Sequence, residues 1–328
     1  MIITKTPFRI SFCGGGTDLA AFYEKAGYGA VVSTSIDKYI YLAIHRFFEE
    51  RYLLKYSSSE LTDSIDEIKH PLIRECLRFT NTTDFLEMTS FADIPSSGSG
   101  LGSSSSFCVG LIHALLAYGR RLPSRETCAA GACELEIGVL GEPIGKQDQY
   151  AAAYGGLNFI QFNANGSVCV QPLILPRDTF ATLQSRLCLF YTGVTRKTSA
   201  ILAEQKQNII FDGTKFQMLL QMRAHAETLR QELVAGRVDA LGVLLDETWR
   251  MKRQLAGGIS SSGLDAVYER ALAAGALGGK LLGAGGGGFF LFYCPEEKQP
   301  SLRKALPEIR PVPFEFENQG TRIIFVED

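Results

Sequence analysis

The chain reads as an α+β protein of two domains, and three observations carry that reading. Strand-like and helical stretches are interspersed without a strict βα alternation, which argues against a doubly wound parallel sheet. At 328 residues the chain is long enough for two domains of ordinary size. Its composition, 46% hydrophobic and 21% charged, is that of a packed chain and not of a disordered one. No repeat, low-complexity tract or obvious linker divides it, so the boundary is drawn near 180, giving 1–180 and 181–328.

The elements follow in order. Residues 1–12 form a strand, broken by Gly14-Gly15-Gly16-Thr17-Asp18, and a short helix covers 19–25. Residues 29–47 are rich in β-branched and aromatic side chains and predict one or two strands, with another at 51–57. A short helix is expected at 71–79 and an alternating, half-buried strand at 85–91. After a glycine–serine segment, 107–119 is apolar all round, as a buried helix is, and a second helix covers 124–138. Residues 155–162 and 168–175 pair around the turn Asn163-Ala164-Asn165-Gly166. A strand at 186–192 precedes helical patterns at 197–210, 214–234, 238–254 and 263–275. Residues 289–293 predict a buried strand, and 321–326 closes the chain as another.

Composition excludes several classes of function. The formal charge is −2, from 33 basic and 35 acidic residues, so no basic excess exists to follow a nucleic acid or coat an anionic membrane. No stretch reaches the ~18 apolar residues of a membrane span. The first residues enter a strand pattern directly, and the default expectation is a cytoplasmic protein. Eight cysteines form no CxxC pair and sit mostly in apolar stretches, as reduced core residues do, and the four histidines show no ligand spacing. Any phosphate site must be local, built from backbone amides and a few placed cations.

The strongest local signal is Pro95-Ser96-Ser97-Gly98-Ser99-Gly100-Leu101-Gly102-Ser103-Ser104-Ser105-Ser106. Glycines at alternate positions permit positive φ and close approach to a ligand. Serines then lead into a helix start, where unpaired amides and the helix dipole favour an anion, and hydroxyls add donors and a cation ligand. The competing reading is a flexible linker, which the strand before it and the apolar helix after it disfavour. No G-x-x-x-x-G-K-[ST] occurs, since Lys146 and Lys280 precede Gln147 and Leu281. Gly283-Ala284-Gly285-Gly286-Gly287-Gly288 satisfies G-x-G-x-x-G, but with a helix upstream and a strand downstream, the reverse of a dinucleotide site. A tight reversal without a ligand is the alternative for that run. Arg9 points away from Phe8 and Ile10. Thr17 and Asp18 are candidates for binding hydroxyls, and a cap on 19–25 explains Asp18 equally well. Asp148, in Gly145-Lys146-Gln147-Asp148-Gln149, is a cap or a base; pattern alone does not separate the two.

Together and in this order, these segments resemble the GHMP kinase family (galactokinase, homoserine kinase, mevalonate kinase, phosphomevalonate kinase) across essentially the whole chain. The family signature P-x-x-x-G-L-G-S-S is matched by the segment from Pro95 to Ser104. The resemblance implies an amino-terminal domain like domain 2 of ribosomal protein S5 and a ferredoxin-like carboxy-terminal domain. It implies an ATP- and Mg²⁺-dependent kinase acting on a sugar or sugar phosphate. Pro95, Ser96, Ser97, Gly98, Ser99, Gly100, Leu101, Gly102, Ser103, Ser104 and Ser105 would cradle the ATP phosphates. Glu136, about a dozen residues before Asp148, would hold Mg²⁺ with Ser104 or Ser105, with Glu134 the weaker alternative.

On the same resemblance, Asp148 would take the proton of the attacking hydroxyl, with Arg9 beside it. Gly15, Gly16, Thr17 and Asp18, with Gly285 and Gly286 of the third motif, would lie on the substrate side. Galactokinases carry Gly-Glu-His-Thr-Asp where this chain has Gly14-Gly15-Gly16-Thr17-Asp18, which points away from galactose. The variant from Arg9 to Asp18, with Tyr191-Thr192-Gly193-Val194-Thr195-Arg196, resembles the branch that phosphorylates the anomeric hydroxyl of a phosphorylated heptose. Arg196 and Lys197 are candidates for the distal phosphate, with solvated surface charge an equal alternative. A homodimer is a family-level expectation. The rival functions are a sister kinase of a free hexose or deoxyhexose, and a non-catalytic sugar sensor of the same fold.

Overall fold

The computed structural model describes residues 1–95, 98–194 and 199–327. Strand β1 (Ile2–Cys13) pairs antiparallel with β2 (Tyr28–Arg46). The β-branched run expected to give one or two strands gives one, 19 residues long. That length lets β2 serve two further neighbours besides β1. Pro7 lies at a register shift in β1, a bulge next to Phe8, where a missing N–H disturbs the ladder least. Beyond the bulge Phe8, Ile10 and Phe12 are wholly buried, and by the period of two Arg9 and Ser11 share the other face.

Helix α1 (Ala20–Ala26) joins these two strands. The chain continues through β3 (Tyr52–Lys55), β4 (Ser59–Thr62), α2 (Pro71–Phe79) and β5 (Leu86–Ala92). Then come α3 (Ser103–Tyr118), α4 (Arg125–Cys133), α5 (Gln147–Tyr154), β6 (Leu157–Asn163) and β7 (Val168–Pro172). The second half of β2 pairs with β5 and its first half with β6, so the sheet forks. Helix α3 lies on β1 and β2, buried all round as its composition requires. It begins at Ser103 and not at 107: the serines form its first turn.

The remainder runs α6 (Arg177–Ser185), β8 (Leu187–Tyr191), α7 (Ser199–Phe211), α8 (Gly213–Val234), α9 (Ala240–Lys252) and α10 (Ser262–Ala273). It ends with β9 (Gly278–Leu281), β10 (Phe289–Tyr293), α11 (Gln299–Ala305), β11 (Arg310–Val312) and β12 (Arg322–Val326). An antiparallel sheet of order β11-β8-β10-β9 forms here. Its faces alternate. Leu189, Phe289 and Leu291 join the core of the first sheet, while Phe190, Phe290 and Phe292 pack with Trp249 and Tyr268 in a second core. Burial on both faces explains why 289–293 is hydrophobic without alternation.

One expectation needs correction, and two further observations stand beside it. The glycine run 283–288 has a strand upstream as well as downstream, because it joins β9 to its antiparallel neighbour β10. No helix follows it, so the dinucleotide geometry is still missing. A division at 180 falls inside α6, and β12 returns to pair with β1, so the chain's last strand lies in the first sheet. Strands β4, β9 and β11 were not anticipated, since three or four residues carry no period of their own. All eight cysteines are free, and only Cys169 is exposed. Among the described residues no helix is long and apolar enough to cross a membrane.

Candidate active site

Arg9 and Asp148 meet in the wall of one cavity. The Arg9 guanidinium donates from Nε to Asp148 Oδ1 (2.8 Å) and from Nη2 to Oδ2 (2.7 Å), a bidentate pair. Its remaining nitrogen, Nη1, donates to the Gly100 carbonyl (2.7 Å), and the Arg9 backbone N–H donates to Leu101 O (3.1 Å). One arginine, 3% exposed, thus ties the acid to the glycine loop.

Asp148 is presented by the first turn of α5, and Asp18 holds that turn. Asp18 Oδ2 accepts from Gln147 N (3.2 Å) and Oδ1 from Gly16 N (2.9 Å). The expected cap on 19–25 is absent, for α1 starts after Leu19 with no side-chain cap. Asp18 caps α5 instead. Gly145 makes room for it: a Cβ there would lie 2.0 Å from Asp18 Oδ2.

Burial, and then the charge of Asp148, push the Asp18 carboxyl up to about 6. A carboxyl raised above its ordinary value of about 3.9 favours the fold while protonated. That contribution is fully present below about 3.9 and is lost as the pH climbs through 6. The stability difference between wild type and Asp18→Asn should therefore shift in the variant's favour between pH 4 and 7, by at most about 3 kcal/mol. Urea unfolding of both proteins across that range reads it, and a pH-independent difference would refute it.

The glycine loop adopts the conformation its composition predicts. Gly98, Gly100 and Gly102 have φ of 65°, 75° and 80°. Ser99 Oγ lies 2.8 Å from Ser103 Oγ and accepts from Leu101 N, closing the loop on itself. Leu101 is wholly buried and anchors it. Residues 98–100 and 102–105 line a cavity of about 500 Å³. Pro95 is exposed and outside that wall; Ser96 and Ser97 lie outside the described residues.

Glu136 sits in a single π-helical turn, Glu134–Val139, that continues α4. The turn points Glu136 inward, 1% exposed, and leaves Glu134 exposed. Ser104 Oγ donates to Glu136 Oε1 (2.6 Å) and Gln149 Nε2 to Oε2 (2.7 Å). Burial raises its carboxyl above the ordinary value, with the hydroxyls of Ser104 and Ser105 and the Gln149 amide opposing.

Three assigned residues take other roles. Thr17 is wholly buried and spends its hydroxyl on Gly14 O (2.7 Å), Ala30 O (2.9 Å) and Ala30 N (3.0 Å), so it fixes the turn and does not face the cavity. Gly285 and Gly286 pack on Ile259, to whose carbonyl Gly286 N donates (2.9 Å), away from the cavity wall. The third motif backs the glycine loop: a Cβ on Gly283 would lie 2.4 Å from Gly100 Cα, and one on Gly288 2.3 Å from Ser99 O. Gly15, Gly16 and Asp18 do line the cavity, whereas Arg196 and Lys197 lie outside the described residues.

Two lysines on the cavity wall were not singled out from sequence. Lys280 donates to Phe12 O (3.0 Å), and burial pulls its ammonium down to about 8. Lys252 donates to Leu281 O (2.9 Å) and to Gly283 O, and burial lowers it well below an ordinary lysine. Lys280 stands at the head of the glycine motif, where its charge was the available signal. Lys252 closes an amphipathic helix and carried none.

A glycine loop at a helix start on one wall and an arginine-bound acid beside it suit transfer of a phosphoryl group to a hydroxyl, and the chain is a phosphotransferase with an alcohol acceptor. It belongs to the GHMP kinase family: the family's N-terminal domain matches residues 71–156 and its C-terminal domain 229–310. The D-glycero-alpha-D-manno-heptose 7-phosphate kinase of Campylobacter jejuni is 32% identical over 93% of both chains. The bifunctional fucokinase/GDP-fucose pyrophosphorylase of Arabidopsis thaliana is 27% identical over 92% of this chain and 31% of its own. The crystal structure of a D-glycero-D-manno-heptose 1-phosphate kinase from Bacteroides thetaiotaomicron superposes over the whole of both chains with a TM-score of 0.83 at 24% identity. ATP is the family's phosphate donor.

Proposed function

We propose that the chain phosphorylates the anomeric hydroxyl of D-glycero-D-manno-heptose 7-phosphate, giving the 1,7-bisphosphate, with ATP and Mg²⁺. The observation that carries the chemistry is the Arg9–Asp148 pair tied directly to Gly100 of the phosphate loop. The relative of 32% identity supports the substrate.

The amides and hydroxyls of residues 98–105 bind the β- and γ-phosphates at the start of α3. The sugar hydroxyl donates its hydrogen bond to Asp148; as its oxygen bonds to the γ-phosphorus and the bond to the β-phosphate oxygen breaks, the proton passes to that carboxylate. Arg9 keeps Asp148 in place and the loop in register with it, so alignment supplies much of the acceleration. The donor set at Glu136 fits Mg²⁺: the Glu136 carboxylate and the Ser104 hydroxyl, both oxygen, would hold the ion beside the phosphates. When bound, the ion neutralises charge on the phosphoryl group in transfer.

A second reading, a kinase of a free deoxyhexose, is favoured by the fucokinase relative. ADP release with ATP and Mg²⁺ separates them on heptose 7-phosphate, sedoheptulose 7-phosphate, mannose 6-phosphate, galactose, fucose and mannose. The expected result is a kcat/KM for heptose 7-phosphate at least about a hundredfold above every free sugar. Turnover of fucose alone would replace the substrate while leaving the chemistry.

A further inference from the structure

Three uncharged polar side chains converge on the Gly15–Gly16 turn without using their hydrogen-bonding capacity. Ser11 follows Arg9 by two residues on the same face of β1, is 5% exposed, and has an unpaired Oγ. Gln147 opens α5, and its Oε1 is buried and unpaired. Gln205, on α7, is 6% exposed, and its side-chain amide makes no hydrogen bond among the described residues. All three line the cavity beside Asp18 and Asp148. A Cβ on Gly15 would lie 3.7 Å from Ser11 Oγ and 3.8 Å from Gln147 Nε2; one on Gly16 would lie 2.6 Å from Gln205 Nε2.

Buried polar groups in a native fold are almost always paired, so the orphaned Ser11 Oγ and Gln147 Oε1 need an explanation. These three come from three elements in both halves of the chain, which no local turn geometry accounts for. Each can both donate and accept, as a sugar hydroxyl does, and none brings a charge that a neutral polyol would leave uncompensated. The two glycines belong to the same device. Without a side chain at 15 or 16 the α7 amide reaches the turn, and the space above it stays open.

We propose that Ser11, Gln147 and Gln205 read the hydroxyls of the acceptor sugar and set which sugar the enzyme takes. The proposal rests on the sugar-kinase reading but not on the heptose. A site built to bond a hydroxyl rejects the analogue lacking it, because its own groups are then left unpaired.

The test is calorimetric titration of the full-length protein with the sugars above, followed by Ser11→Ala, Gln147→Leu and Gln205→Leu against whichever sugar the wild type binds tightest. Each variant should weaken the sugar Kd about tenfold, or about 1.4 kcal/mol, while the Kd for a non-hydrolysable ATP analogue stays within about twofold. The nucleotide titration reports an intact fold. Unchanged sugar affinity in all three variants would overturn the proposal, and so would equal losses for sugar and nucleotide. If the wild type binds fucose in preference to heptose 7-phosphate, the substrate reading falls, and the three variants decide this proposal on fucose. Binding of no sugar by the wild type would overturn both.

Discussion

Asp148→Asn should leave the nucleotide bound and remove most of the turnover, with kcat falling by about two to four orders of magnitude. The geometry sets this expectation. The glycine loop is fixed by bonds that do not involve Asp148: Arg9 N to Leu101 O, Arg9 Nη1 to Gly100 O, and Ser99 to Ser103. The amide keeps one oxygen for Arg9 Nε but turns an NH₂ toward Nη2, so half of the bidentate pair is lost, and a neutral amide is too weak a base to take the proton. Because Arg9 is buried and Asp148 is partly open to the cleft, a stability loss of about 1–3 kcal/mol should accompany the kinetic one. Steady-state kinetics beside a fluorescent-nucleotide titration separates the effects. A normal kcat would mean that the aspartate only positions Arg9 and that another group receives the proton.

The fold was legible where a local pattern is dictated by burial on a known period. The strand 289–293 and the helix 107–119 are hydrophobic without alternation because both are buried all round. Helix 71–79 was legible because Pro71 at its first turn and the strongly sided apolar residues Leu72, Ile73, Cys76 and Leu77 point to one core face. What was not legible depends on partners distant in sequence. The strand 310–312 exists because 187–191 lies beside it, and the closing strand returns to the first because residues 2–5 offer an open edge. No window of the sequence contains both halves of such a pairing.

The site divides along the same line. Residues whose function needs backbone freedom announced themselves, as Gly98, Gly100 and Gly102 did through alternation. Residues whose function needs a particular neighbour did not. Thr17 and Asp18 are adjacent and both polar, yet one is spent on Gly14 and Ala30 while the other crosses to cap the helix that carries Asp148. Gly285 and Gly286 look like ligand-contacting glycines, but their freedom serves a loop that interlocks with another loop. Gln205 is a polar residue in a helical pattern, and only the approach of Gly16 gives it meaning.

Glu136→Gln should separate catalysis from stability, lowering kcat/KM by about 10²–10³ while leaving Tm unchanged or higher. As a carboxylate, Glu136 is 1% exposed and raised above its ordinary value mainly by burial, so holding its charged form there carries a cost. A neutral amide of the same shape removes that cost. It can still accept from Ser104 Oγ, and its NH₂ finds an acceptor in place, because Gln149 Oε1 is buried and unpaired and turning that amide over presents it. The catalytic loss comes from the missing negative charge beside Ser104, and the Mg²⁺ concentration for half-maximal rate should rise with it. Kinetics at stepped Mg²⁺ and a thermal melt of the free protein read both effects. A lower Tm with unchanged Mg²⁺ dependence would mean that the carboxylate is there to hold Ser104 and Gln149, and that the cation is held elsewhere on the cavity wall.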